Sequence, residues 1–206
     1  EGTRTVDGCV NGTLSLSEAT IMADDRLVAG TRQGAALVSD LYDRLLICAA
    51  AEMLGVMEAA LDLALGYVKT REQFGRPIGS FQALQHRAVD DHTEIELTRS
   101  LLYQVCRAMD GGHGNRSLAA AVNARASDAV LSVTKSAIQM HGAIGFTDEY
   151  DAGLYLRRAM TLAALHGNAA YQRGRYARLV AAEAEEAETP QRRKRKKPKK
   201  SVFAAQ

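Results

Sequence analysis

The sequence has no tryptophan, three prolines and few aromatics of any kind, 5% of its 206 residues. So little proline and so much Ala and Leu favour helix over sheet. No apolar run reaches the length of a membrane span, because charges interrupt every candidate. No charged, apolar and small-residue signal pattern stands at the start. There are only three cysteines, Cys9, Cys48 and Cys106, odd in number and widely spaced. That argues against a disulfide framework or a zinc site and fits a reducing cytoplasm. What is present is ordinary globular usage, 47% apolar and 24% charged, in a length that suits one domain with a core.

The net charge of +2 hides an asymmetry. Residues 192–200, "RRKRKKPKK", hold eight basic residues, and upstream of Pro190 there are 18 Lys and Arg against 24 Asp and Glu. The body is mildly acidic, and its surface gives no reason to expect nucleic acid. The basic run reads as a solvated, disordered tail over 187–206; the competing reading, a nucleic-acid patch, lacks interleaved aromatics for stacking. The chain opens at Glu1 rather than Met, within what reads as a strand, and suggests an N-terminally incomplete protein.

Residues 3–29 read as the end of a β region, with Leu14 and Leu16 alternating against serines and with Asp-Gly and Asn-Gly turn signals. Helical spacing then begins. Leu54, Met57, Leu61, Leu65 and Val68 mark a helix over about 35–70. Leu84, Ala88, Ile95, Leu102, Val105 and Met109 mark a second over 81–109, stopped by the glycines of "DGGHGN". A third spans 117–140, a short one 152–163 and a last one 166–186. The expected fold is mostly α, a four-helix up-down bundle over 33–186 preceded by a short β segment over 1–32.

Two irregular loops break the helices: "REQFGRPIGSFQALQH" (71–86) and "QMHGAIGFTDEY" (139–150). Taken singly they are unremarkable. Arg71 reads as a solvated cation at a helix end, Phe74 and Phe81 as core residues, and His141 as a structural histidine. Taken together, 57 residues apart from Gln82 to Gln139, they resemble two motifs of the acyl-CoA dehydrogenases, and the likeness covers about residues 1–182. It implies the C-terminal helical domain of that family, the last strands of its middle β domain, and FAD as cofactor. By resemblance Arg71 offers a planar fork to the FAD pyrophosphate. Phe74 lies against the adenine, and Gln82 offers an amide nearby. Gln139, Met140, His141, Gly142 and Ala143 form the second cofactor turn, with Ala143 where the family usually has Gly, and Asn168 is a further contact.

The resemblance also exposes a gap. The family's catalytic Glu falls 27 residues after Gln139, at His166, so "HGN" stands where relatives have E-G-T. Relatives that carry the Glu on the first helix of this domain place it near Leu45, which is not acidic either. Asp43, Arg44 and Gly167 are then the implied substrate contacts; Arg157 matches the Arg of the family's R-D-A segment, whose Asp is Arg158 here. Three readings stay open: an FAD-dependent acyl-CoA dehydrogenase whose base is His166 or Asp43, a catalytically silent FAD-contacting subunit of a heteromeric dehydrogenase, or a helical interaction module. The expected partners are an acyl-CoA, an electron-transfer flavoprotein, and further subunits of a homo- or hetero-oligomer.

Overall fold

The computed structural model describes residues 2–20, 22, 30–111 and 116–195, with the backbone alone at 31 and 186–195. A small antiparallel hairpin comes first, β1 (Gly2–Arg4) pairing with β2 (Val10–Gly12), turned at Asp7–Gly8 where Gly8 has φ +86°. The Asn-Gly pair falls inside β2 and makes no turn. Among the described residues the β region stops there. Leu14 and Leu16 are exposed and unpaired, so their alternation is not a strand; no neighbouring strand takes their backbone groups.

Helix α1 (Thr31–Thr70) runs 40 residues, about 60 Å at the usual rise. It ends where Arg71 turns extended, and Lys69 in its last turn complements the carbonyl end. A miniature hairpin follows, β3 (Glu72–Gln73) against β4 (Arg76–Pro77), then a 3-10 turn (Ile78–Ser80). Next come α2 (Gln82–Asp110), α3 (Arg116–His141), a 3-10 turn (Gly142–Phe146), α4 (Ala152–Leu165) and α5 (Ala169–Arg195).

The bundle is built around α3. Of its 26 residues 17 are buried, against five of 29 in α2, and it packs on α1, α5, α4 and α2. Its composition explains this: Ala, Ser, Thr and Val let four helices approach one axis, whereas α2 carries an apolar stripe on a charged surface. The expected core faces are present, with Met57, Val105, Val122, Val130 and Val133 almost wholly enclosed.

The β hairpin is tied down by Arg158 of α4, which donates to Asp7 at 2.7 Å and to Glu52 of α1 at 2.6 Å. The Thr5 hydroxyl and Arg158 hold the Asp7 carboxyl well below its ordinary range. The residue that departs from the family's R-D-A segment is thus a strut between the hairpin and the bundle.

At the far end, α5 differs from expectation. Its backbone stays helical through Pro190 to Arg195, so the first basic residues of the tail lie on a helix. The run of Ala and Glu before Pro190 has the propensity to carry it. The remainder of the basic run lies outside the described residues. No helix among the described residues is long and apolar enough to cross a membrane.

Candidate functional site

The two loops singled out in the sequence come together. The hairpin after α1 and the last turn of α3 wall a groove of about 610 Å³, lined by Tyr67, Arg71, Gln73, Phe74, Ile78, Phe81, Leu84 and residues 139–144. Each wall has a local cause. In the hairpin, Phe74 (φ +57°) and Gly75 (φ +78°) both take left-handed backbone, the geometry of a tight two-residue turn. Gly75 adopts it freely, but a phenylalanine there is strained. Phe74 is also 91% exposed, so no burial compensates for the strain. Backbone strain of this kind clusters at ligand clamps and active sites, which makes Phe74 a candidate contact. Phe81 meets Phe74 edge-on at 6.0 Å and carries the Arg76 guanidinium 4.2 Å over its face.

In the second wall, His141 ends α3. Its Nδ1 lies 2.6 Å from the Ala137 carbonyl, which only accepts, so Nδ1 carries the proton. The ring is buried between the tilted rings of Tyr67 at 4.8 Å and Tyr150 at 4.6 Å. His141 thus packs under the groove, and its Nε2 is buried without a hydrogen-bond partner among the described residues. Gly142 (φ +67°) lets the chain leave the helix, with Ala143 exposed beside it.

Two glycines of these loops serve packing instead. A Cβ on Gly79 would stand 3.0 Å from the Val68 carbonyl oxygen, and one on Gly145 2.9 Å from that of Ile138. The sequence had not marked Tyr67, Ile78 or Leu84 as walls. Leu84 reads only as part of a helical core face, and nothing local distinguishes a core face from a groove face.

Arg71 is exposed and makes no ion pair among the described residues. Gln139 faces both the groove and a neighbouring polar cavity between α2 and α3. Gln82 is exposed at the start of α2 and does not line the groove.

The third group, His166, Gly167 and Asn168, does not line the groove either. It forms the turn between α4 and α5. Gly167 has φ +85° and the Tyr171 ring packed against it, where a Cβ would meet ring carbon at 2.5 Å. Asn168 caps α5, its Oδ1 accepting from the Tyr171 N–H at 2.9 Å. The His166 side chain is half-buried, and burial lowers its pKa from the ordinary 6.5, so the neutral ring persists to lower pH. The His166 N–H turns onto the Ala164 carbonyl.

Asp43 is neither free nor facing a ligand. It is buried, and its two oxygens are taken by Arg175 of α5 and, at 3.2 Å, by Arg116 of α3. Through them it ties α1 to α3 and α5. Arg44 is exposed and pairs with Asp40 at 2.8 Å, one turn back on α1.

Comparison with known proteins settles what this arrangement belongs to. The family profile described as the acyl-CoA dehydrogenase C-terminal domain matches residues 33–181. The chain belongs to the acyl-CoA dehydrogenase family. It is 45% identical over 105 residues to mitochondrial isovaleryl-CoA dehydrogenase of Solanum tuberosum, covering 51% of this chain and 26% of that one. It is 40% identical over 129 residues to the acyl-CoA dehydrogenase IpdE2 of Mycobacterium tuberculosis, covering 63% and 37%. Among solved structures, the ChsE4-ChsE5 complex of Mycobacterium tuberculosis superposes with a TM-score of 0.78 at 29% identity over 88% of this chain and 48% of that one. Butyryl-CoA dehydrogenase of Megasphaera elsdenii gives 0.63 at 32% identity over 66% and 36%. The chain thus spans between about a quarter and a half of these dehydrogenases.

Proposed function

We propose that this chain takes part in FAD-dependent α,β-desaturation of an acyl-CoA thioester, and that its groove holds the ADP half of the flavin. The observation that carries the reading is the groove itself, in which a guanidinium with no ion pair among the described residues, a strained exposed phenyl ring and a backbone turn converge. FAD, when bound, supplies the acceptor for the hydride leaving the β carbon. The residues of this chain do the rest. Arg71 has a free fork of donors for a diphosphate. Phe74 and Phe81 present apolar faces to a planar base. Gly142 and Ala143 keep backbone near the surface, so a ligand can approach it closely.

At the turn, His166 is the candidate base for the α proton. A neutral imidazole at neutral pH is the competent form, and the burial that lowers its pKa favours that form. An electron-transfer flavoprotein as oxidant and an oligomeric assembly are proposed with this reading.

A second reading has its own support. Neither base position holds a carboxylate, since Leu45 is apolar and position 166 is His, and Asp43 is locked between two arginines. In that reading the chain is the silent half of a heteromeric dehydrogenase and contributes flavin contacts to a partner that carries the Glu. The likeness to the ChsE4-ChsE5 complex supports it.

Anaerobic mixing of the flavin-loaded assembly with acyl-CoAs separates the two. Loss of the long-wavelength flavin absorption that disappears with His166→Ala supports the active chain. Loss that requires a second dehydrogenase subunit and is indifferent to His166→Ala supports the silent one. No loss with any acyl-CoA, alone or with the second subunit, overturns the proposal.

A further inference from the structure

One carbonyl in the molecule is held unusually well. The backbone oxygen of His166 accepts from the Tyr42 hydroxyl at 2.7 Å and from Gln172 Nε2 at 2.6 Å. Gln172 Nε2 also donates to the Tyr42 oxygen at 2.9 Å, which closes a triangle across α1, the 166–168 turn and α5. Gln172 is fully buried. Its orientation is forced, because a backbone carbonyl only accepts, so the NH2 end must face it. The other end, Oε1, is left buried without a partner among the described residues. An unsatisfied buried acceptor is costly and calls for a reason. Here the reason is geometric: no other orientation of the amide supports that carbonyl.

The supports are themselves fixed. Arg175, one turn along α5 from Gln172, lies with its guanidinium carbon 5.1 Å from the centre of the Tyr42 ring. Arg175 is in turn held by Asp43, whose second oxygen binds Arg116. A peptide group is planar, so fixing the His166 carbonyl fixes the plane through the Gly167 nitrogen as well. That constrains the short turn from which the His166 side chain projects.

We infer that Tyr42 and Gln172 are positioning residues: they set the His166–Gly167 peptide, and so aim the His166 side chain, with Arg175 and Asp43 as their buttress. The inference rests on the dehydrogenase reading only for what that aim is used for; the clamp itself is independent of it.

Hydrogen–deuterium exchange of this chain tests the clamp directly. In Tyr42→Phe and Gln172→Leu the amides of residues 164–172 exchange about tenfold faster, the loss expected of one buried hydrogen bond. Exchange in the middle of α3 stays unchanged, which shows that the fold is intact. Unchanged exchange at 164–172 in both variants overturns the inference. Gln172→Met provides a second arm, because a thioether has no donor and fails like Gln172→Leu despite its similar length. If Gln172→Met exchanges as the wild type does, the amide donor is not what holds the turn, and the inference is again overturned.

In the flavin-loaded assembly, Tyr42→Phe lowers kcat about tenfold with KM for the acyl-CoA little changed. Faster exchange in an assembly whose wild type never desaturates an acyl-CoA removes the dehydrogenase reading and leaves the clamp standing.

Discussion

The groove and the 166–168 turn use the same kinds of side chain in opposite ways. At the groove, Arg71 has no ion-pair partner among the described residues, Phe74 stands 91% exposed in strained backbone, and Gln139 faces open space. At the turn, Arg175 is committed to Asp43, Tyr42 and Gln172 to one carbonyl, and Asn168 to a helix start. A polar group already satisfied inside the chain has little to offer a ligand. The groove therefore reads as a surface for something the chain does not contain, and the turn as a rigid support for the single side chain that projects from it. Asp43 falls on the satisfied side of that line.

The sharpest way to break this comparison is to remove the carboxylate at the centre of the buttress. Asp43→Asn leaves Arg175, only 8% exposed, without its counter-charge. Breaking a buried pair from one side costs about 3–5 kcal/mol. Urea unfolding of the variant shows that loss in the midpoint. The double substitution Asp43→Leu with Arg175→Leu recovers most of it, because it removes the charge along with its partner. A loss below about 1 kcal/mol in Asp43→Asn would mean that the cluster is solvated, and Asp43 would return as a candidate for chemistry.

Much of this was legible in the sequence, for a physical reason that also marks where legibility ends. Helical periodicity and glycine stops are local signals, and they placed α1, α2 and α3 to within a few residues. The two loops were visible because Gly, Pro and Phe between periodic segments are themselves local anomalies. The buttress was invisible. Arg116, Asp43 and Arg175 are separated by 73 and 132 residues from partner to partner, and no spacing rule links them. The substrate role assigned to Asp43 followed from resemblance, and the same pattern in the chain gives no sign that two arginines close over it. The short β segment is present as β1 and β2, but its reading at Leu14 and Leu16 went too far. Alternation at Leu14 and Leu16 is a strand signal only where a neighbouring strand takes the hydrogen bonds.

The groove side of the comparison is sharpened at Phe74, where stability and binding are expected to separate. Phe74→Gly removes a side chain that contributes no burial and relieves backbone strain. Stability therefore does not fall, and rises by up to about 1 kcal/mol once the entropy of the glycine is set against the strain. Affinity for FAD or ADP in the assembled protein falls by about tenfold, the loss of one stacked aromatic. A variant that loses stability and keeps its affinity would show that Phe74 serves the hairpin, and the argument from unrewarded strain would fail with it.

The smallest expected effect tests the border between the two regions. Asp91 of α2 lies in the polar cavity that shares Gln139 with the groove, buried to 4% exposure, and accepts from Ser136 of α3 at 2.5 Å. Burial pushes its pKa up to about 6, opposed by the Ser136 hydroxyl and by Arg87, and reinforced by Asp90 and Glu94. The folded state therefore holds this proton at a pH where the unfolded chain, near 3.8, has released it. Between those two values folding binds a proton, so the contribution of Asp91 to stability falls as pH rises through the window and stays low above it. Asp91→Asn keeps an acceptor for Ser136 and removes the charge. At neutral pH the variant is at least as stable as the wild type, by on the order of 1 kcal/mol, and the difference closes as pH falls toward 4. Paired thermal melts at the two pH values read the sign. A difference that grows toward acid would place the carboxylate among the satisfied groups, with the buttress rather than with the open groove.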